Sequence, residues 1–152
     1  MVFSAKADDV ELADSIPRVR RAPPISRNIS VMPRQRGGAL AMNADAFARL
    51  RQSMVAEIAV HAIYASARIG KAALSRRVLE TMGTVPRHMF VPVELQPYAY
   101  ANTPLPIGFE KTISQPFIVA LMTDLLDIEP HDTVLEVGTG LGYQAAIVAA
   151  LA

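Results

Sequence analysis

Thr133-Val134-Leu135-Glu136-Val137-Gly138-Thr139-Gly140-Leu141-Gly142-Tyr143-Gln144 is the stretch on which the reading of this chain turns. Thr133 to Val137 is short, β-branched and apolar, the pattern of a strand buried on both faces of a parallel sheet. Three glycines then alternate with other residues. Glycine accepts positive φ at little cost and lets a backbone approach a ligand where a Cβ would collide. From Tyr143 to Leu151 the chain is rich in Ala and reads as a helix. Strand, glycine turn and helix in that order open a nucleotide-binding α/β unit. A dinucleotide fingerprint needs its third glycine at position 143, where Tyr143 stands instead.

Upstream of this unit, Pro130 and His131-Asp132 form a turn, preceded by a helical run from Phe117 to Leu126. Phe117, Leu121 and Leu125 share one face of that run, and Pro116 occupies its first turn, where a missing N–H costs nothing. Further back, Pro86, Pro92, Pro97, Pro104 and Pro106 exclude a long helix between Val85 and Gly108 and predict an ordered connector or short strands. Leu74, Val78 and Met82 predict a short helix closed by Gly83. Phe47, Leu50, Met54, Ile58 and His61 fall at helical spacing behind Asn43, a cap, and ahead of Gly70, a stop.

Residues 1–42 read differently. Asp8, Asp9, Glu11 and Asp14 are followed by Arg18, Arg20, Arg21, Arg27, Arg34 and Arg36, with Pro17, Pro23, Pro24 and Pro33 among them. No apolar periodicity runs through this segment, so it is expected to be a disordered, solvated tail, or sequence upstream of a start at Met42. A phosphate-binding arm is the functional alternative. No apolar stretch follows the basic residues as a signal peptide requires, and the early acids disagree with a transit peptide. The domain expected to fold is 43–152.

Composition narrows the function classes. The chain has 152 residues, 51% of them hydrophobic and 19% charged, enough to build one core. A net charge of +1 offers no electrostatic case for nucleic acid, and no apolar run is long enough to span a bilayer. With no cysteine, disulfides, thiolate metal sites and thiol catalysis are excluded. His61, His88 and His131 lack metal-ligand spacing, so no metal site is expected.

Two segments carry candidate chemistry. Glu136 stands two residues ahead of Gly138-x-Gly140-x-Gly142, a spacing that suits an S-adenosylmethionine loop better than a pyrophosphate cradle. Thr112-Ile113-Ser114-Gln115-Pro116 is the other. Ser114 there has two readings open, a helix N-cap or a site hydroxyl. No His–carboxylate pair can be placed beside it from sequence, which disfavours a serine-hydrolase nucleophile.

Several uncommon strings now fall in one order: Val85-Pro86-Arg87-His88-Met89-Phe90-Val91-Pro92, Tyr98-Ala99-Tyr100, Pro104-Leu105-Pro106-Ile107-Gly108, Thr112 to Pro116, and Val134 to Gln144. Across roughly 43–152 the chain resembles the protein-L-isoaspartate O-methyltransferase family. The resemblance implies a cytoplasmic repair enzyme of Rossmann-like α/β fold. It would move a methyl group from S-adenosylmethionine to isoaspartyl carboxylates of damaged proteins and peptides. By that resemblance Ser114 is the active-site hydroxyl, and Thr112, Ile113, Gln115, Glu136, Gly138, Thr139, Gly140, Leu141 and Gly142 serve the cofactor. Phe109-Glu110-Lys111 departs from the commoner family pattern, which has a glycine and a glutamine there. Arg87 and His88 read as structural.

A doubly wound sheet needs further parallel strands beside Val134–Val137, and a ribose-binding acid would fall about 20 residues past the glycines. The expectation is therefore a methyltransferase fold cut after its first strand–loop–helix unit, with little activity alone. The alternatives are a non-catalytic remnant or interaction protein of the same family, and a nicotinamide-dependent oxidoreductase, which Tyr143 disfavours.

Overall fold

The first long helix, α1 (Ala44–Ile69), begins and ends where its capping chemistry dictates. Asn43 is extended, and its side-chain oxygen accepts from the Ala46 amide at 2.8 Å. Gly70 adopts φ +70° and donates its N–H to the Ser66 carbonyl at 2.9 Å. Phe47, Met54, Ile58 and Ala62 are its buried residues, in a computed structural model that describes residues 2–5 and 42–152. The expected stripe ended on His61. That ring instead stays exposed at the surface and stacks on Phe117, centroids 4.3 Å apart, because four-residue steps from Met54 carry the buried face to Ala62.

The second helix, α2 (Arg76–Thr84), starts later than its apolar spacing predicts, since the Ser75 hydroxyl accepts from Val78 N–H and sets the cap. Gly83 does not stop it. It lies within the helix, and its carbonyl accepts from Arg51 Nε of α1 at 2.7 Å. The proline-rich connector is ordered as two 3₁₀ helices, Arg87–Phe90 and Val93–Tyr98. A hairpin follows, β2 (Leu105–Gly108) and β3 (Lys111–Ile113), with Leu105 opposite Ile113 and Pro106 opposite Thr112.

Pro116 opens α3 (Pro116–Leu125) at its first turn, as expected. The buried face differs from the one read off the spacing. Pro116, Phe117, Val119, Ala120, Thr123 and Asp124 point inward, whereas Leu125 is 59% exposed. Polar Thr123 and Asp124 displace leucines from the core because each has a partner there. The Asp124 carboxylate accepts from the Ser75 amide at 2.7 Å and pairs with Lys71, tying α3 to the loop before α2.

The strand and helix around the glycines are β4 (Thr133–Glu136) and α4 (Tyr143–Ala149). Here two expectations are corrected. The run was read as a strand buried on both faces of a parallel sheet, yet its burial alternates and Leu135 is half exposed. Its partner among the described residues is antiparallel: β1 (Val2–Ala5) pairs Val2 with Glu136 and Ala5 with Thr133. Four residues assigned to the tail thus form a strand, because an apolar β-branched edge recruits any extended segment that can satisfy its backbone groups. The rest of the tail, residues 1 and 6–41, lies outside the described residues. Val2–Ala5 belongs with Met42–Ala152 in one compact unit, whose core includes Met54, Ile58, Met82, Val119 and Ile147. No helix among the described residues is long and apolar enough to cross a membrane.

Candidate active site

The β2–β3 hairpin, the exit from β3 and the glycine turn after β4 converge on one cleft of about 140 Å³. Thr112, Ile113 and Ser114 form one wall. Glu136, Gly138, Thr139, Gly140 and Leu141 form the other. Segments more than twenty residues apart in sequence, each singled out for its own motif, are therefore brought together. Gln115 and Gly142 are not in the lining. Gln115 sits at the N-cap position of α3 with its carbonyl accepting from Val119 N–H at 3.1 Å. Gly142 is the cap of α4 at φ +89°, closing the turn by donating to the Thr139 carbonyl at 3.0 Å.

The glycines answer to backbone conformation. Gly138 and Gly140 have φ of +84° and +59°, values an L side chain rarely adopts. A Cβ on Gly138 would meet nothing within 4 Å, and one on Gly140 would only touch Ile107 Cδ1 at 3.7 Å. Steric room does not require glycine at either position; the backbone conformation does.

Ser114 does not cap the helix. Gln115 takes the N-cap position without a side-chain hydrogen bond, so Ser114 lies one residue too early to reach the first turn. Asn102, fifteen residues upstream, supplies the cap instead, its Oδ1 accepting from Phe117 N–H at 3.0 Å. With its structural duty taken over, the exposed Ser114 is left on the cleft wall.

Ile107, Val119, Met122, Tyr143 and Gln144 complete the lining and were not picked out as site residues. Gln144 is notable for its chemistry: its Nε2 donates to Thr123 Oγ1 at 2.6 Å, while its Oε1 is buried without a partner. Glu136 Oε2 is likewise buried and unpartnered. Two desolvated acceptors on residues that line one cleft cost free energy unless a donor reaches them. Tyr143 is 2% exposed, stacked obliquely on Phe90 with centroids 5.6 Å apart and bonded through its hydroxyl to Met82 Sδ. Burial pushes its phenol up to about 12, so it stays protonated. The position a third fingerprint glycine would occupy is therefore a packed aromatic.

His88 is held by stacking and hydrogen bonding outside the cleft lining. The His88 ring lies flat on Phe47, centroids 3.9 Å apart, and its Nδ1 meets the Tyr100 hydroxyl at 2.8 Å. Arg51 Nη1 donates to the same hydroxyl at 3.1 Å. Burial, with the Arg51 charge adding to it, holds this imidazole below its ordinary pKa.

A mixed α/β protein with a small-molecule cleft at a strand–glycine–helix turn is the class these observations define. The family model described as protein-L-isoaspartate(D-aspartate) O-methyltransferase matches residues 59–152, and the chain belongs to that family. Protein-L-isoaspartate O-methyltransferase 1 of Polaromonas sp. is 61% identical over 125 residues, covering 82% of this chain and 52% of the relative. That match is longer than the stretch from Met42 to Ala152, so it reaches into the arginine-rich segment. The corresponding protein of Cupriavidus necator is 58% identical over 108 residues, or 71% of this chain and 42% of the relative. Protein-L-isoaspartate O-methyltransferase 2 of Syntrophobacter fumaroxidans is 58% identical over 113 residues, 74% of this chain and 46% of its own length. The chain spans about half the length of the curated relatives it matches.

Proposed function

We propose that this chain carries the cofactor loop and active-site wall of a cytoplasmic protein-L-isoaspartate O-methyltransferase with a Rossmann-like fold. Its substrates are isoaspartyl residues of damaged proteins and peptides, and its cofactor is S-adenosylmethionine. The observation that carries the reading is the single cleft shared by Thr112–Ser114 and the Glu136–Leu141 turn. The unpartnered acceptors of Glu136 and Gln144 fit a ligand that carries N–H or O–H donors, and the glycine turn in the lining fits a ligand seated against backbone. Thr112, Ile113, Gln115, Glu136 and Gly138 to Gly142 would hold the cofactor. When bound, it supplies an electrophilic methyl group on a sulfonium.

The protein then has little acid–base work to do. A substrate carboxylate with a reference pKa of about 4 is already ionised at neutral pH. Ser114 would donate a hydrogen bond to that carboxylate and hold one oxygen in line, without forming a covalent bond. Orientation of this kind can lower a barrier by several kcal/mol. Ile107, Val119 and Met122 supply apolar walls that help keep water out.

Calorimetry with S-adenosylmethionine and with NAD tests the cofactor: binding of the first alone is expected, and binding of NAD alone would install the oxidoreductase reading. Methyl transfer to an isoaspartyl peptide tests the reaction. It is measured on the 152-residue chain and on a version extended with the C-terminal part of the Polaromonas relative. Turnover is expected to rise sharply on extension, because β4 pairs with only β1 among the described residues and leaves Leu135 and Val137 more or less half exposed. Robust turnover by the chain alone would break that expectation. A folded extended version without activity would favour a non-catalytic member of the family.

A further inference from the structure

Arg87 is the largest fully buried side chain of the molecule among the described residues, at 0% exposure. A buried guanidinium is normally held by a carboxylate, yet none of the ion pairs among the described residues includes it. Its partners are of another kind. Nε donates to the Ala99 carbonyl at 2.8 Å, and Nη2 donates to the Ser114 carbonyl at 2.7 Å. The guanidinium carbon lies 4.8 Å from the centroid of the Tyr143 ring. Burial draws its pKa down to about 10, which leaves it charged at neutral pH.

Those contacts join three separate parts of the chain: the end of the 3₁₀ connector, the exit from β3, and the first residue of α4. Ser114 and Tyr143 belong to different walls of the same cleft. The backbone bonds of Thr139 and Gly142 stay within the turn and α4. A planar cation can link the β3 exit to the start of α4, because its in-plane donors take carbonyls while its face lies on an aromatic ring.

We propose that Arg87 is a positioning residue that clamps the Ser114 wall of the cleft to the Tyr143 wall, setting the distance between substrate-facing hydroxyl and cofactor loop. Its consequence for ligand binding rests on the function proposed above; the clamp itself rests on the contacts. Lysine keeps the charge but lacks the fixed planar fork of donors and a flat face for the ring. Methionine keeps only bulk.

The test is amide hydrogen exchange on the 152-residue chain, its Arg87→Met variant and its Arg87→Lys variant. The reporters are Phe117 and Val119, just after Ser114, and Gly142 and Ala146, around Tyr143; Met54 and Ile58 in α1 are the reference. In Arg87→Met the reporters are expected to lose about tenfold more protection than the reference, with Arg87→Lys in between. A purely structural arginine would lower protection evenly, and an even loss, or no loss, overturns the proposal. Should Arg87→Met not fold, the same local excess in Arg87→Lys decides. Calorimetry with S-adenosylmethionine supplies the second readout, with at least about fivefold weaker binding expected in Arg87→Met. Unchanged affinity in that variant, where the parent binds, also overturns it. A parent that binds no S-adenosylmethionine but shows the local exchange pattern retains the clamp and defeats the cofactor reading. A parent that binds with even exchange losses does the reverse.

Discussion

The α1–α2 half and the cleft half of this molecule satisfy their polar groups in opposite ways. In α1 and α2 the helix ends are closed by neighbours in sequence, Asn43, Gly70 and Ser75. Arg51 of α1 finds both the Gly83 carbonyl and the Tyr100 hydroxyl. In the cleft half, α3 borrows its cap from Asn102, and Glu136 and Gln144 each keep a buried acceptor without a partner. Left-handed backbone clusters there as well, at Gly108, Phe109, Glu110, Asp127, His131, Gly138, Gly140 and Gly142, against Gly70 alone in the helical half. The lesson is that one half closes its polar groups with neighbours in sequence, while the other keeps buried acceptors unmet on residues that line the cleft.

The sharpest way to break this division is to damage the helical half. Ile58 is wholly buried in α1, and Ile58→Ala should cost about 2–5 kcal/mol in denaturant unfolding. Affinity of the remaining folded protein for S-adenosylmethionine should hold. Loss of affinity before loss of fold would mean that the two halves are not separable.

The converse variant is Gly140→Val. The new Cβ finds ordinary contact with Ile107, but φ of +59° strains a β-branched residue by about 1–2 kcal/mol. Cofactor affinity is expected to fall by more than that strain accounts for, at least about fiftyfold by calorimetry. Equal affinity would remove the turn from the site.

A gain in stability is expected at the hairpin tip. Phe109 and Glu110 carry φ of +51° and +57°, and Phe109 is 97% exposed. Two consecutive left-handed residues are the geometry that favours Asn-Gly, which explains why Phe-Glu is an unusual choice at this turn. Glu110→Gly should raise stability by about 1 kcal/mol, read as a higher Tm. A lower Tm would show that the Glu110 side chain makes a contact worth more than the strain.

Smaller still is the effect of removing residues 1–5. Composition alone makes this segment dispensable, but Val2–Ala5 pairs with β4. Exchange at Val134 and Leu135 should speed up while the unfolding midpoint of α1 and α2 stays nearly constant. Unchanged exchange would mean that β1 contributes nothing to holding β4.

The smallest expected effect is an acid slope from His88. Its folded pKa lies below the ordinary 6.5, so the unfolded chain takes up the proton first. The stability that neutral His88 contributes is complete above pH 6.5 and is lost as pH falls through the folded value. His88→Gln, which keeps a partner for Tyr100, should show a flatter decline in Tm below that pH. Parallel declines would sink the assignment of the slope to this ring.

How much of this was legible in the chain follows the range of the interactions involved. Asn43, Gly70 and Pro116 act on residues within four positions, so their helices could be read from spacing, and the glycine turn likewise. The strings that resemble the family mark Thr112 to Gln115, Glu136 and Gly138 to Gly142, and of these all but Gln115 and Gly142 line the cleft. The buried face of α3 was misread because Asp124 and Thr123 are made acceptable inside by Lys71, Ser75 and Gln144, partners more than twenty residues away. The pairing of β4 with Val2–Ala5 crosses nearly the whole chain, and a strand's own pattern cannot say which segment will meet its edge. Local backbone preference therefore wrote the helices and the turn into neighbouring residues. The cap from Asn102, the freed Ser114 and the placement of Arg87 between two walls depend on distant groups meeting in space, which no run of adjacent residues can encode.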